Sequence, residues 1–248
     1  MSKKLWISSC LGIAFVLLFV MTYWFYFSEP KPIPTNKQLV EEINSNFPEA
    51  AADSIQDTIP VDEHHVLVPF FSEKENYSLS YWVWQKREWK VASIDTTGQP
   101  KVWKIKKNDP SSYHVVWNIH PEDQLSSIDF YLIRDRDYYV LDGTENYFPR
   151  VQMEKKVSLE KGTYGLFQLP DDWVSFINAY KKVETAKQPN SLLQNFFPEQ
   201  HMFFGWIPFN RENKEVFPER SVNGDEYYKE DIHKEHVMIL NKEDIEKP

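Results

Sequence analysis

The chain has 248 residues, with 28 Lys and Arg against 37 Asp and Glu, so its formal net charge is −9. A hydrophobic content of 42% with 16% aromatic residues excludes a mainly disordered chain, because this much apolar surface can offset the entropy lost on ordering. The single Cys excludes an internal disulfide framework, and the seven Gly exclude a glycine-rich polymer.

The N-terminal part contains a stretch without any formal charge, residues 5–27. A helix of that length, at about 1.5 Å per residue, crosses a hydrocarbon core of about 30 Å. The stretch ends in the aromatic run 23–27, which is typical of a membrane interface. Lys3 and Lys4 lie just before the stretch, and positively charged residues flanking a membrane span favour the cytoplasmic side. We therefore expect residues 1–4 to be cytoplasmic and residues 5–27 to be an uncleaved transmembrane signal-anchor.

Two alternatives to the anchor remain. A cleaved secretory signal usually has an apolar region of about 7–15 residues, which is shorter than the stretch found here. Cys10 follows Ile7, Ser8 and Ser9, as in a lipoprotein signal, but the uncharged stretch continues for 17 residues beyond it. Both alternatives therefore have less support than a retained span.

The exterior part is expected to be acidic and to carry no cofactor. Without Lys3 and Lys4, 26 basic residues stand against 37 acidic ones, a net charge of −11. Nucleic acids and anionic lipids favour basic patches, so neither is expected as a general partner.

Residues 28–35 form a proline-rich spacer, and residues 36–248 form the exterior domain. Three prolines in the stretch 28–34 predict a stiff, extended segment that lifts the domain off the membrane. Thr35 and Gln38 have the spacing of a capping box. Apolar residues then recur at helical intervals, which predicts an amphipathic helix that ends before Pro48; they are Leu39, Val40, Ile43 and Phe47.

From residue 65 onward, apolar residues recur at every second position, as in strands, instead of at helical intervals. We predict strands over residues 65–71, 77–85, 89–95, 101–106, 113–120, 128–134, 138–141, 151–157, 164–169 and 236–240. Short polar turns between most of them favour an antiparallel meander. A second helix is predicted from Asp171 or Asp172 to about Val183. Residues 185–235, with apolar clusters at 192–197, show no clear period. The fold class is therefore α+β, with a mainly antiparallel sheet and two or more flanking helices.

Familiar catalytic motifs are missing from the exterior. None of its glycines lies in G-x-S-x-G, G-x-G-x-x-G or a P-loop. The exterior therefore lacks the motifs typical of hydrolases with a nucleophile elbow and of the common nucleotide-binding folds. The only thiol, Cys10, lies in the predicted span, so thiol catalysis and thiolate metal sites are excluded. We expect no cofactor and no hydrolytic activity.

Three groups of residues could still carry chemistry. Asp129 interrupts an apolar run and is a candidate acid–base carboxylate, although an outward-facing strand position also explains it. Trp82 and Trp84 share a strand face that would suit a sugar ring, although core packing also explains them. His233 and His236 could share a metal if their segment were helical, although a solvated loop also explains them.

Taken together, these features predict a single-pass, membrane-anchored, extracytoplasmic protein. Its exterior domain would act as a non-catalytic interaction or accessory module of the cell envelope, with a protein partner. The alternative is a domain that binds or hydrolyses an envelope glycan through the region of Trp82 and Trp84 and a carboxylate.

Overall fold

The computed structural model describes residues 3–26, 29–141, 143–187, 202–229 and 232–246. These ranges contain the helices α1 (Lys3–Tyr26), α2 (Asn36–Asn46), α3 (Asp171–Lys187) and α4 (Glu219–Val222). Residues 1–2 and 27–28, at the ends of the predicted anchor, and the apolar clusters at 192–197 lie outside the described residues.

Sixteen strands occur in the described ranges. In chain order they are β1 (Ala52–Ile55), β2 (Ile59–Asp62), β3 (His65–Ser72), β4 (Tyr77–Gln85), β5 (Glu88–Asp95), β6 (Lys101–Lys104), β7 (Tyr113–Asn118), β8 (Leu125–Arg134), β9 (Asp137–Leu141), β10 (Thr144–Phe148), β11 (Val151–Ser158), β12 (Tyr164–Gln168), β13 (Met202–Asn210), β14 (Glu226–Tyr228), β15 (His233–His236) and β16 (Met238–Ile239).

The strands form three larger sheets and one separate hairpin. Sheet 1 has the order β1-β3-β4-β5-β14, and β2 also pairs with β3. Sheet 2 has the order β12-β7-β6-β15, and sheet 3 has the order β11-β8-β13-β16. Strands β9 and β10 pair only with each other in the described chain. Every pairing is antiparallel except that of β13 with β16, which confirms the predicted α+β class with mostly antiparallel sheets.

Apolar side chains stack these sheets in layers. Helix α2 covers the outer face of sheet 1, where Leu39 and Ile43 are fully buried beside Trp82. Sheets 1 and 2 meet through a second cluster that contains Tyr81 and Trp103. This face-to-face stacking replaces the single meander that the sequence predicts, because each sheet buries apolar residues on a face that needs another layer.

Sheet 3 completes the stack on the other side of sheet 2. Trp117 of β7 packs against Phe130 of β8, with ring centroids 5.6 Å apart. Trp173 and Ile177 of helix α3 are buried in the same cluster. The predicted second helix is therefore confirmed, and its apolar face covers the space between sheets 2 and 3.

The proline-rich spacer contacts the domain through two of its residues. Ile33 packs against the cluster that holds α2 on sheet 1. The backbone oxygen of Lys31 accepts a hydrogen bond from Nε1 of Trp89 at 2.8 Å. The capping box is confirmed, since Oε1 of Gln38 accepts a hydrogen bond from the backbone nitrogen of Thr35 at 3.0 Å.

Helix α1 covers most of the predicted anchor. In the ranges that the structure describes, no helix combines the length and the hydropathy needed to cross a bilayer. The transmembrane interpretation of residues 5–27 therefore remains a prediction from the sequence.

Candidate functional site

A cluster of four charged residues lies where sheets 1 and 2 meet. Asp95 ends β5, Lys101 begins β6, Glu226 begins β14 and Lys234 lies on β15. Asp95 is fully buried and the side chain of Lys234 is only 1% exposed. Such groups need partners, because moving a charge out of water is costly.

The four side chains satisfy one another. Nζ of Lys101 lies 2.9 Å from Oε1 of Glu226 and 3.8 Å from Oδ2 of Asp95. Nζ of Lys234 lies 3.3 Å from the same Glu226 oxygen and donates to Oγ of Ser93 at 2.9 Å. The cluster therefore joins the C-terminal strands β14 and β15 to β5 and β6.

The carboxyl groups of Asp95 and Glu226 face the same two lysines, Lys101 and Lys234. Oδ1 of Asp95 accepts hydrogen bonds from the backbone nitrogen and Oγ1 of Thr97, at 2.9 and 2.6 Å. Oδ2 is buried, and it has no hydrogen-bond partner among the described residues. Its nearest cation is Nζ of Lys101, at 3.8 Å.

The pKa values of the two carboxyl groups shift in opposite directions. Burial raises the pKa of Asp95 to about 7, against the opposing effect of Lys234. Burial also acts to raise the pKa of Glu226, but the neighbouring Asp95 carboxyl group and the two lysines outweigh it and bring the pKa to about 2. Asp95 therefore keeps its proton to a higher pH than Glu226 does.

Aromatic rings cover the amine of Lys234. The ring centroids of Tyr81 and Tyr228 each lie 4.5 Å from its Nζ. Burial lowers the pKa of Lys234, while the two carboxyl groups partly restore it. Tyr81 is fully buried, and the ring of Trp103 stands edge-on to it at 5.1 Å.

The position of this cluster suits a structural role. Asp95 has no exposed surface at which a substrate could reach it.

Asp129 lies on the face of sheet 3 opposite the cluster that contains Phe130, and its side chain is largely covered there. It is 6% exposed on the central part of β8, and its Oδ2 accepts a hydrogen bond from Nζ of Lys156 at 2.7 Å. Burial raises its pKa, and Lys156 opposes the rise. Lys156 also lies 3.1 Å from Glu154. The candidate acid–base carboxylate is therefore half of an ion pair across β8 and β11.

Trp82 and Trp84 lie in the core. Trp82 is 2% exposed and Trp84 is 7% exposed. Nε1 of Trp82 donates to Oγ of Ser80 at 2.9 Å, and the ring of Trp84 stands edge-on to Trp89 at 5.6 Å. The sheet therefore does not present these two rings as the open platform that binding to a sugar requires.

His233 and His236 lie on a strand rather than a helix. Residues three apart on a strand point to opposite faces, so these two imidazoles do not converge. Burial lowers the pKa of His236, and Lys101 lowers it further. No group of three or more metal-binding side chains occurs in the part of the chain that the structure describes. The helical condition for a shared metal is thus not met.

A cavity of about 470 Å³ lies at the ends of β7, β11 and β13. Its lining includes Arg211 and Glu212, which carry opposite charges, and His120. Both ring nitrogens of His120 are engaged, one with the backbone nitrogen of Glu122 and the other with the backbone oxygen of Glu75. This lining favours neither a charged ligand nor acid–base chemistry.

The β9–β10 hairpin exposes apolar side chains outside all three larger sheets. Tyr138 and Tyr147 lie directly opposite each other and are 57% and 65% exposed. Val140, two residues along β9, is 57% exposed on the same face. A two-stranded hairpin is marginal alone, and exposed apolar patches mark contact surfaces.

Sequence reasoning missed the charged cluster, because its members lie far apart in the chain. The local signal was limited to Asp95 and Thr97, which form a short Asx-type turn at the end of a predicted strand. Nothing near Glu226 or Lys234 indicates burial. Comparison with known proteins gives no match, whether with family models, curated proteins or solved structures.

Proposed function

We propose that this chain is a single-pass membrane protein whose residues 28–248 lie outside the cytoplasm and act as a non-catalytic interaction module of the cell envelope. The uncharged residues 5–27 support the anchor, and Lys3 and Lys4 support a cytoplasmic N-terminus. Apolar side chains of α1 are also uncovered by the rest of the described chain; Leu11, Phe15 and Phe19 are 65%, 72% and 66% exposed.

The β9–β10 hairpin is the observation that carries the binding function. Its Tyr138–Tyr147 pair and Val140 present apolar and aromatic surface at a position that no sheet of the described chain covers. Tyrosines contribute strongly to protein interfaces, because a large apolar ring carries one polar group and few rotatable bonds. We therefore propose a protein as the partner. A glycan partner has less support, since Trp82 and Trp84 are buried.

Site-specific photocrosslinking in native membranes tests this proposal. A photoreactive phenylalanine derivative replaces Tyr138 or Tyr147 in the full chain, and the same residue at Tyr228 is the matched control, because Tyr228 is a tyrosine that is 50% exposed on β14. We expect one discrete crosslinked product from the hairpin positions and none from the control. We also expect Val140→Glu to abolish it. Equal crosslinking from all three positions, or none from the hairpin, would contradict the proposal.

A further inference from the structure

The turn between β4 and β5 lies beside the point where the chain leaves the proposed anchor. The guanidinium of Arg87 lies 3.5 Å from the ring centroid of Trp24, near the end of α1. Two residues later, Nε1 of Trp89 donates to the backbone oxygen of Lys31 at 2.8 Å. These contacts hold one end of sheet 1 next to the last turns of α1.

Chain length alone keeps this end of sheet 1 close to the membrane. Only three residues lie between residue 27, where the uncharged stretch ends, and Lys31, so four Cα–Cα steps join them. At no more than about 3.6 Å per residue, Lys31 lies within about 14 Å of the end of that stretch. The interfacial layer on each side of a bilayer is about 5–7 Å thick. Trp89 and the turn before β5 must therefore lie close to the headgroups.

The turn carries two cations in an unusual backbone conformation. Lys86 and Arg87 have φ values of 51° and 66°, in a two-residue turn where Asn-Gly is the common choice. This left-handed conformation is unfavourable for long side chains. Neither cation has a carboxylate or other acceptor among the described residues, whereas Lys90 nearby is paired with Glu88 at 3.0 Å.

We propose that the β4–β5 turn faces the bilayer and that Lys86 and Arg87 bind the phosphate groups of lipid headgroups in the adjacent leaflet. This inference rests on the proposed membrane anchor. Two cations that have no carboxylate partner, next to an anchor, complement the phosphate layer. The rest of the exterior is acidic, so repulsion from an anionic surface would turn its other sides away.

Depth-dependent fluorescence quenching in vesicles of phosphatidylcholine and phosphatidylglycerol tests the orientation. The full chain, in a Cys10→Ser background, carries a fluorophore on Gln85→Cys beside the turn or on Lys74→Cys at the opposite end of β4. The nine residues of β4 separate these positions by about 30 Å. A lipid spin-labelled at its headgroup should quench the probe at position 85 and leave the probe at position 74 unquenched. Equal quenching at both positions would overturn the inference.

Charge removal tests the contact with phosphate. The double change Lys86→Gln and Arg87→Gln should reduce the quenching at position 85, because the turn is then held near the headgroups by the short connection to the anchor alone. The matched control, Lys106→Gln with Lys107→Gln, removes two lysines from another exposed turn and should leave the quenching unchanged. Quenching that is the same with and without the two cations would overturn the role of these two residues.

Alkaline carbonate extraction separates failure of this inference from failure of the anchor. Protein that stays in the vesicles but shows no quenching at position 85 would overturn the proposed position of the turn at the headgroups and would still agree with the proposed anchor. Protein that carbonate releases would overturn the anchor and this inference together.

Discussion

At the scale of single residues, the shifted pKa values of Asp95 and Glu226 make stability depend on pH. The pKa of Asp95 is raised from 3.8 to about 7, so the native state holds a proton that the unfolded chain releases between those values. The free energy of unfolding must therefore fall as the pH rises through this window. The pKa of Glu226 is lowered from 4.5 to about 2, so its stabilising contribution is lost as the pH falls through that lower range.

We expect the contribution of these two groups to stability to be largest near pH 4, with a loss of about 3 kcal/mol between pH 5 and pH 8. Urea denaturation at several pH values measures this change. Asp95→Asn, which mimics the protonated acid, should remove most of the dependence, while Asp57→Asn at an exposed position should keep it. A flat profile in the native chain would contradict the raised pKa of Asp95.

Gly98 gives a second test at this scale. Its backbone nitrogen donates to Ser221 and its backbone oxygen accepts from Asn118, each at 2.9 Å. A Cβ at this position would overlap the backbone oxygen of Asn118. Gly98→Ala should therefore destabilise the fold by about 3 kcal/mol or more, because backbone atoms cannot move aside cheaply.

The matched control for this change is Gly162→Ala, where the nearest atom to the new Cβ lies at 3.9 Å. Thermal unfolding should show a large loss of Tm for Gly98→Ala and little change for Gly162→Ala. Similar Tm values for the two variants would contradict the close approach between Gly98 and the backbone oxygen of Asn118.

At the scale of elements, the spacer should behave as part of the domain. Ile33 packs against the α2 cluster, and Lys31 accepts a hydrogen bond from Trp89. A fragment of residues 29–248 should therefore be more stable than one of residues 35–248, by about 2 kcal/mol from the lost side chain and hydrogen bond. Chemical denaturation of the two fragments measures the difference, and equal midpoints would mean that the spacer is free.

The predicted elements with clear local patterns agree with the structure, and those without such patterns do not. The pattern of apolar, β-branched and aromatic residues between polar turns predicted β3, β4, β5 and β7. It missed β13, whose apolar residues run on through Gly205 and Pro208 without alternation. It also missed β15, where His233 to His236 are all polar and the strand pairs with β6 at the edge of sheet 2.

At the scale of the whole molecule, the order of strands could not be predicted from the sequence. Strand β8 lies between β11 and β13, and β14 returns to pair with β5. These pairings depend on which sheet faces are buried between layers, and a short stretch of sequence carries no information about that. The candidate cluster was missed for the same reason, since Asp95 meets Glu226 and Lys234 only after the sheets have stacked.

The location of the exterior is the central claim, and protease treatment of intact protoplasts or spheroplasts tests it most directly. We expect protease added from outside to digest residues 28–248 and to leave a small membrane fragment that contains residues 5–27. A mature chain that begins near Ser28, or a domain that protease reaches only after the membrane is permeabilised, would contradict it.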